Sequence, residues 1–434
     1  MPEILVVSLS PVGHFGPLLN VAQDLVDRGD RVTMLTSAAH AAKIRGVGAI
    51  PEAMPLEADL DLTRLDIDLP GRAETSGIKR VNFDIVRLFL QPMPHQARVL
   101  SELTARTRFD AIILDAGFFG ILPFLLGDRA GRPPVLAYST TPLMISSRDT
   151  GPSGMGLPPS SSTLGRLRNR ALTALSQKVL LRESQKAANH LLDQLNTRPL
   201  PMFVLDSGVL ADRYIAPTVP EFDYPRSDLP ANVCYVGAVH PGASRGFVPP
   251  PWWSALDGDR PVVHVTQGTV DNADLSRLLQ PTIDALAEED VTVVATTGGR
   301  DISEVNHPLP PNTFVAEYIP HDLLLPKVDV MVTNGGFGAV QRALSMGVPL
   351  IVAGNTEDKP EVAARVAWTG AGINLKTGNP SSGAVRAAVR DILNNDVYLR
   401  NAHRLEAAFA RRNGVAEIAT LVDEVIAERQ TVTS

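Results

Sequence analysis

The segment Val330-Met-Val-Thr-Asn-Gly-Gly-Phe-Gly338 is an apolar strand pattern that runs into a glycine-rich turn and then into a helical pattern. A strand that feeds a helix through a tight turn is the repeating unit of a parallel sheet covered on both faces. The free backbone amides at the start of such a helix, together with the helix dipole, favour an anion there. The segment therefore predicts an α/β fold with an anion site at the carboxyl end of this strand.

Short β-rich runs alternate with helical patterns along the chain, in two groups. In the first group the runs are Ile4–Leu9, Arg31–Thr36, Ala111–Leu114 and Pro134–Ser139. In the second group they are Pro261–Thr266, Val291–Thr296, Thr313–Ala316, Val328–Thr333 and Pro349–Ala353. Because strands that alternate with helices favour parallel sheets, we predict two parallel α/β domains.

A proline-rich stretch, residues 216–260, separates the two groups and contains Pro249-Pro-Pro251 followed by Trp252-Trp253. Such composition is typical of a linker, here one that leads into the second domain. We therefore place a first domain at 1–215 and a second at 261–395. Residues 396–434 carry helical patterns only and are predicted to bridge back to the first domain.

Composition limits the classes of function. The 434 residues are too many for one ordinary core, and 44% hydrophobic with 20% charged residues is typical of a folded globular protein. A net charge of -7 without a Lys/Arg run argues against a nucleic acid partner. The sequence shows no uncharged run near the ~20 residues of an integral membrane segment and no secretion signal, so we expect a cytoplasmic protein. The lone Cys234 excludes an internal disulfide and a cysteine metal cluster.

One histidine follows the first strand pattern, in the segment Gly13-His14-Phe-Gly-Pro17. We predict that the segment is a turn and that Pro17 lies in the first turn of the next helix. Histidine titrates near neutral pH and serves as a general base when a carboxylate fixes its tautomer. Asp115 follows the buried pattern Ala111-Ile-Ile-Leu114 and is the best candidate for that carboxylate. A structural role for His14, and helix capping by Asp115, remain alternatives.

Polar and aromatic groups flank the glycine-rich turn at neighbouring strand ends. Tyr318-Ile-Pro-His321 lies one βα unit earlier, where an aromatic ring can stack on a base, and Asp358-Lys359 lies one strand later, within reach of sugar hydroxyls. Gln267-Gly268-Thr269, after the first strand of this domain, faces the same edge. A glycine-rich turn alone is a weak signal, but this spacing indicates a nucleotide. Tyr318 as a core aromatic residue is the alternative.

With these residues in place, the chain resembles the family 1 glycosyltransferases of GT-B fold, which include bacterial macrolide and plant natural-product enzymes. The segment Gly13–Pro17 is similar to the family's amino-terminal Gly-His segment. Tyr318-Ile-Pro-His321 resembles the start of its donor-binding motif, and Gly347-Val-Pro349 and Ala363-Ala-Arg365-Val366 resemble later parts of that motif. The resemblance spans nearly the whole chain. It implies two Rossmann-like domains facing across a cleft.

The resemblance also implies an activity and a set of site residues. The activity is inverting transfer of a sugar from a UDP- or dTDP-type donor to a hydroxyl of an apolar natural product, with His14 as base, Asp115 as its partner, and no metal or further cofactor. The implied donor-binding residues are Gly268, Thr269, Tyr318, Ile319, His321, Asn334, Gly335, Gly336, Gly338, Ala339, Arg342, Asp358 and Lys359. The implied acceptor-binding residues are Phe83, Phe89, Phe118, Phe119 and Met144.

Four positions depart from the family pattern: Asn334, Ala339, Arg342 and Lys359 stand where histidine, a hydroxyl residue, glutamate and glutamine are usual. The identity of the donor is therefore open, and so is attack by nitrogen, sulfur or carbon instead of oxygen. Two other functions remain as alternatives. One is an epimerase or hydrolase that acts on sugar nucleotides alone, and the other is a non-catalytic partner protein with a degenerate donor site. The sequence gives no signal for oligomeric state.

Overall fold

The computed structural model describes the whole chain except residues 60–68, 70, 241, 245, 270, 271 and 434. Its first sheet has seven parallel strands in the order β3-β2-β1-β4-β5-β6-β7. The strands are β1 Glu3–Val7, β2 Arg31–Thr36, β3 Ile50–Ala53, β4 Ala111–Asp115, β5 Val135–Tyr138, β6 Arg213–Ala216 and β7 Val233–Tyr235. The first predicted α/β domain is therefore a parallel sheet, as the alternating pattern indicated.

The second sheet has six parallel strands in the order β10-β9-β8-β11-β12-β13. They are β8 Val262–Thr266, β9 Thr292–Thr296, β10 Thr313–Ala316, β11 Val330–Thr333, β12 Leu350–Val352 and β13 Gly372–Asn374. Strands β8, β9 and β11 are buried along their whole length, because helices cover both faces of the sheet. The fold class predicted from the sequence, two Rossmann-like parallel-sheet units, is confirmed.

Helices connect the strands of both sheets. Those of the first half are α1 Val12–Asp27, α2 Ala41–Gly46, α3 Gly77–Asp84, α4 Met93–Arg106, α5 Leu122–Leu126, α6 Thr163–Leu175 and α7 Arg182–Gln194. Those of the second half are α8 Leu279–Leu286, α9 His321–Leu324, α10 Phe337–Leu344, α11 Lys359–Thr369, α12 Ser382–Asn394, α13 Asp396–Ala410 and α14 Gly414–Thr433. Two of them, α1 and α10, start directly after the switch strands described below, so they position the site.

Four short strands have no counterpart in the sequence prediction: β3, β6, β7 and β13. Each has only three or four residues, which is too short for a clear hydrophobic period. Strand β7 lies inside the segment 216–260 and pairs with β6 at the edge of the first sheet. The first sheet therefore extends to Tyr235, inside the segment that the sequence analysis treats as a linker.

The last helix, α14, packs against the first half of the chain. Its buried Ile418 and Val422 join a core cluster that contains Phe15 of α1 and Ile4 of β1. Arg28 reinforces the contact, since Nη1 donates to Asp423 Oδ2 at 3.0 Å and to a helix carbonyl at 3.1 Å. The preceding helix α13 packs in the core of the second half instead. The chain thus crosses between the two halves a second time near its carboxyl end.

Candidate active site

Each sheet has one place where the strand order reverses, between β1 and β4 in the first sheet and between β8 and β11 in the second. In open α/β sheets, ligands bind beyond the carboxyl ends of the strands at this switch point. The register pairs Val7 with Leu114 in the first sheet and Thr266 with Thr333 in the second. The residues that follow these four are therefore candidates for a ligand-binding or catalytic site.

At the first switch point, His14 and Asp115 form a short hydrogen bond. His14 Nδ1 lies 2.6 Å from Asp115 Oδ2, and the other carboxylate oxygen accepts from the backbone amide of Gly117 at 2.8 Å. Helix α1 already begins at Val12, so His14 lies in its first turn and Pro17 lies inside the helix. This corrects the prediction of an irregular turn with Pro17 at the helix start. The carboxylate is held from two sides, and it in turn orients the imidazole.

The surroundings of His14 favour a proton-accepting role for its second nitrogen. The hydroxyl oxygen of Thr140, after β5, lies 3.1 Å from Nδ1, so both contacts of the ring fall on that nitrogen. The His14 side chain is 21% exposed and that of Asp115 only 1%. Burial disfavours the imidazolium, but the Asp115 carboxylate outweighs it, so the pKa of His14 lies above its ordinary value of 6.5. Nε2 is the nitrogen left to exchange a proton.

An open cavity lies beside His14. Its lining is mainly apolar, from Leu9, Pro11, Met54, Ala58, Leu88 and Phe89, and is completed by Ser8, Ser10, His14, Ser37 and Asp59. An apolar lining with a few polar groups is typical of a small-molecule pocket. The arrangement places His14 at the wall of a mainly apolar cavity.

The predicted acceptor residues fall into two groups. Phe89 lines the cavity, as does Leu88. Phe118 and Phe119 are 0% and 6% exposed, belong to the core cluster of the first half and are not part of the cavity lining. Phe83 and Met144 are partly buried, outside the cavity lining. Sequence reasoning missed Ser37 and Asp59. No pattern marked the short strand β3 that precedes Asp59, and Ser37, directly after the predicted strand β2, belongs to no recognised motif.

At the second switch point, the glycine-rich turn leads directly from β11 into helix α10. Gly335 has φ of 90°, and a Cβ there would meet Val352 Cγ1 at 2.6 Å, so only glycine fits. Gly336 is the N-cap of helix α10, so the amides of the first turn have no partner within the helix. Gly338 has open space around its Cα. The helix dipole and free amides at this end favour a negatively charged group.

Asn334 has a different role from the one its type suggested. Its side chain is 8% exposed, and Nδ2 donates to the backbone carbonyl of Gln267 at the end of β8. The amide therefore ties the two switch strands together with one of its two N–H donors. A second cavity of about 200 Å³ adjoins this point, and its lining includes Arg277 and Gly378 as well as Asn334. Arg277 brings a cation that no sequence motif indicated.

Asp358 and Lys359 stand at the start of helix α11. Lys359 is 4% exposed at its side chain and forms an ion pair with Glu357. Burial and the Glu357 carboxylate raise the pKa of Asp358 to about 6, against the effect of the Lys359 ammonium. Asp358 and His14 each influence the other's pKa. The start of α11 in the second half therefore faces the base in the first half.

The remaining predicted donor residues lie before and in helix α9, in helix α10 and after strand β8. Tyr318 is 63% exposed, which excludes the alternative of a core aromatic residue and leaves its ring accessible. Ile319, by contrast, is 2% exposed and belongs to the core, and Ala339 packs against the same cluster. Burial and the nearby Arg342 guanidinium lower the pKa of His321 to about 4. Gly268 has φ of 73° and Thr269 is exposed at the end of β8.

Two Rossmann-like parallel-sheet units, with His14 beside one switch point and a glycine-rich helix start at the other, are the architecture of the GT-B glycosyltransferases. Residues 280–425 match the family described as "Erythromycin biosynthesis protein CIII-like, C-terminal domain". In three dimensions the chain is similar to the calicheamicin glycosyltransferase CalG4, with a TM-score of 0.74 at 20% identity over 98% of each chain. This second likeness shows the fold.

Two relatives match over nearly their whole length. The 4'-demethylrebeccamycin synthase of Lentzea aerocolonigenes is 41% identical over 98% of this chain and 99% of that protein. UDP-glycosyltransferase 2 of Phaeomoniella chlamydospora is 34% identical over 98% and 96%. The chain therefore belongs to the family 1 glycosyltransferases of GT-B fold, and the prediction that it is a glycosyltransferase is confirmed.

Two features of the described residues bear on earlier expectations. They contain no helix that is both long and apolar enough to cross a bilayer. Nor do they bring three or more His, Cys, Asp or Glu side chains together in a group suited to a metal ion.

Proposed function

We propose that this glycosyltransferase moves a sugar from a nucleoside diphosphate sugar to a hydroxyl of an apolar small molecule, with inversion at the anomeric carbon. The observation that carries the proposal is the hydrogen-bonded pair of His14 and Asp115 at the wall of the apolar cavity. The names of the relatives, a rebeccamycin-type synthase and a UDP-glycosyltransferase, support a natural-product acceptor and a UDP-sugar as the first donor to test.

In the proposed reaction, His14 Nε2 takes the proton of the acceptor hydroxyl as the oxygen attacks the anomeric carbon. The bond from that carbon to the diphosphate oxygen breaks in the same displacement, which inverts the configuration. Asp115 keeps the proton on Nδ1 before the reaction and stabilises the imidazolium that forms. The raised pKa of His14, which Asp115 causes against the effect of burial, is the electrostatic signature of that support.

The second half of the site supplies the groups for the donor. The backbone amides at Gly336–Gly338 and the dipole of helix α10 stabilise the negative charge that develops on the leaving diphosphate. The exposed Tyr318 ring stacks on the nucleobase of the donor. Asp358, which faces His14 across the cleft, accepts from sugar hydroxyls. No metal or further cofactor takes part in the proposed mechanism.

The direct test is turnover with UDP-glucose and a panel of phenolic polyketides and flavonoids. Mass spectrometry should detect acceptors that gain one hexosyl unit, and the anomeric configuration of the product, determined by NMR, should be inverted. A product with retained configuration would contradict the single displacement. Release of UDP at the same rate with and without acceptor would favour the hydrolase alternative.

The donor nucleotide is tested separately by thermal unfolding with UDP, dTDP and GDP. A ligand that binds only the folded chain raises its stability by mass action, by about 2.7 kcal/mol at a hundred times its dissociation constant. We expect UDP or dTDP to raise the Tm more than GDP does. Equal shifts with all three nucleotides would show that this site does not read the base through Tyr318.

A further inference from the structure

The wall of the cavity beside His14 carries a carboxylate that the proposed chemistry does not use. Asp59 lines the cavity, and its Oδ2 accepts from the Ser37 hydroxyl at 2.6 Å. The Ser37 oxygen in turn accepts from the backbone amide of Ala39 at 3.3 Å. The second carboxylate oxygen of Asp59 has no hydrogen bond to any residue in the described part of the chain. A charged acceptor therefore lies on an otherwise mainly apolar wall with one oxygen open.

The sheet order determines where this carboxylate lies relative to the base. His14 follows β1, Ser37 follows β2 and Asp59 follows β3, and these strands are neighbours in the order β3-β2-β1. The Asp59 carboxylate lies next to Ser37, directly after β2, because the two side chains are hydrogen-bonded. His14 and Asp59 line the same cavity. A molecule that offers a hydroxyl to His14 in this cavity therefore presents a part of itself remote from that hydroxyl to Asp59.

The chemical group at the end of the acceptor remote from the reacting hydroxyl determines whether the open oxygen of Asp59 receives a hydrogen bond. An apolar group there removes water from the open carboxylate oxygen without replacing its hydrogen bond, which is costly for a charged group. A hydroxyl or amine replaces it, and a protonated amine adds charge. Sites that carry a buried polar group discriminate strongly against analogues that lack its partner. This asymmetry turns one carboxylate into a selectivity element.

We propose that Asp59, held by Ser37, selects acceptors that carry a hydrogen-bond donor, and most strongly a protonated amine, at the end remote from the reacting hydroxyl. The proposal rests on the proposed function, because it takes the cavity beside His14 as the acceptor site. It adds a substrate class to that function: apolar phenols or alcohols with a remote amine or hydroxyl.

Three isosteric probes test the proposal: tyramine, tyrosol and 4-propylphenol. They share a phenol and a two-carbon chain and differ only in the terminal ammonium, hydroxyl or methyl group. Their affinities for the full chain, measured by calorimetry with UDP present, should follow that order. We expect tyramine to bind about 10- to 100-fold more tightly than 4-propylphenol, the range for one hydrogen bond to a charged group.

Asp59→Asn keeps the shape of the side chain and removes its charge, so the tyramine preference should fall below about threefold. Glu57→Gln is the matched control, since it removes an exposed carboxylate two residues away, outside the cavity lining. Its preference should equal that of the native chain. Ser37→Ala gives a second variant, in which a loosened carboxylate should show an intermediate preference. Thermal unfolding of each variant establishes that it is folded.

Three results would overturn the proposal: equal affinities of the native chain for the probes, a preference retained by Asp59→Asn, or no measurable binding of tyramine. Sugar transfer from UDP-glucose to the same phenols tests the proposed function separately. A binding preference without transfer would contradict the proposed function and leave the selectivity of the cavity standing. Transfer to all three phenols at equal rates, without a binding preference, would support the proposed function and contradict the selectivity of Asp59.

Discussion

The network around Arg365 and the pair of His14 and Asp115 both join a basic side chain to carboxylates, but they differ in burial and in how many of their nitrogens are bonded. Every nitrogen of the Arg365 guanidinium donates: Nε to Asp223 at 2.9 Å, Nη1 to Glu361 at 2.8 Å, and Nη2 to the Leu143 carbonyl at 3.0 Å. The Arg365 side chain is 2% exposed, whereas that of His14 is 21% exposed and is bonded through Nδ1. A fully bonded ion network stabilises structure, and a half-bonded histidine at a cavity keeps capacity for a proton.

The difference also shows how one region serves the other. Glu361 bonds Arg365 with one oxygen, and with the other it accepts from the amides of Gly154 at 2.8 Å and Gly156 at 2.9 Å. The loop that holds both glycines follows β5 and starts beside Thr140, which contacts His14. Helix α11 is thereby fastened to the loop that supports the base. The structural network fixes the distance between the two halves of the site.

Replacing His14 is the largest expected break in this comparison, because it removes the proton acceptor and little of the core. In His14→Ala, kcat/KM should fall by about 10²–10⁴-fold, while UDP binding stays close to native. The matched control is His40→Ala, since His40 stacks on Phe15 and its Nε2 contacts the Ser10 carbonyl. We expect a far smaller loss there. Turnover of His14→Ala at the native rate would remove the proposed base.

Replacing Arg365 should break stability first. Arg365→Ala leaves the carboxylates of Asp223 and Glu361 buried without this partner, and removal of one member of a buried ion pair typically costs about 3–5 kcal/mol. Denaturant unfolding measures the loss. Arg390→Ala is the control, because Arg390 makes two bonds to Glu289 at the surface and salt bridges there contribute little. Equal losses in the two variants would show that burial is not what distinguishes the Arg365 network.

The response to pH sharpens the contrast, because the two regions have shifts of opposite sign. Burial lowers and Asp115 more strongly raises the pKa of His14, so kcat/KM should fall as the pH drops through a value above 6.5. In Asp115→Asn, the inflection should move to lower pH and the maximal rate should fall. An unchanged inflection would show that another group controls it.

The same shifts affect folding stability. Because the pKa of His14 is raised in the folded state, its contribution to folding stability is fully present below pH 6.5. That contribution is lost as the pH rises through the pKa of the folded state. Burial raises the pKa of Asp223, but Arg365 and Arg226 outweigh burial, so the pKa lies below its ordinary value of 3.8. The contribution of Asp223 to folding stability is therefore present above pH 3.8 and is lost as the pH falls through the pKa of the folded state. Denaturant unfolding at several pH values measures this effect. In Asp223→Asn, the free energy of unfolding should depend less on pH in the acid range than it does in the native chain.

The sequence predicted the pair of His14 and Asp115 because both follow recognisable strands that are neighbours at a switch point. The Arg365 network escaped prediction, since its partners lie 142 and 222 residues away in segments without a regular pattern. Asn334 was recognised as a departure, but its bond to Gln267 depends on the pairing of β8 with β11. Likewise, hydrophobicity does not distinguish Phe118 in the core from Phe89 on the cavity wall. Local pattern determines elements, whereas pairing over long separations determines which polar groups remain open.

The smallest expected effect concerns Thr140, the point where the two regions meet. Its hydroxyl oxygen lies 3.1 Å from His14 Nδ1, a weaker contact than the 2.6 Å bond to Asp115. Thr140→Val keeps the side-chain shape and removes that oxygen, which should lower kcat/KM by about 3- to 10-fold, in line with one ordinary hydrogen bond. Thr140→Ser retains the oxygen and should restore most of the rate. If both variants lose activity equally, the methyl packing of Thr140 matters and its hydroxyl does not position the base.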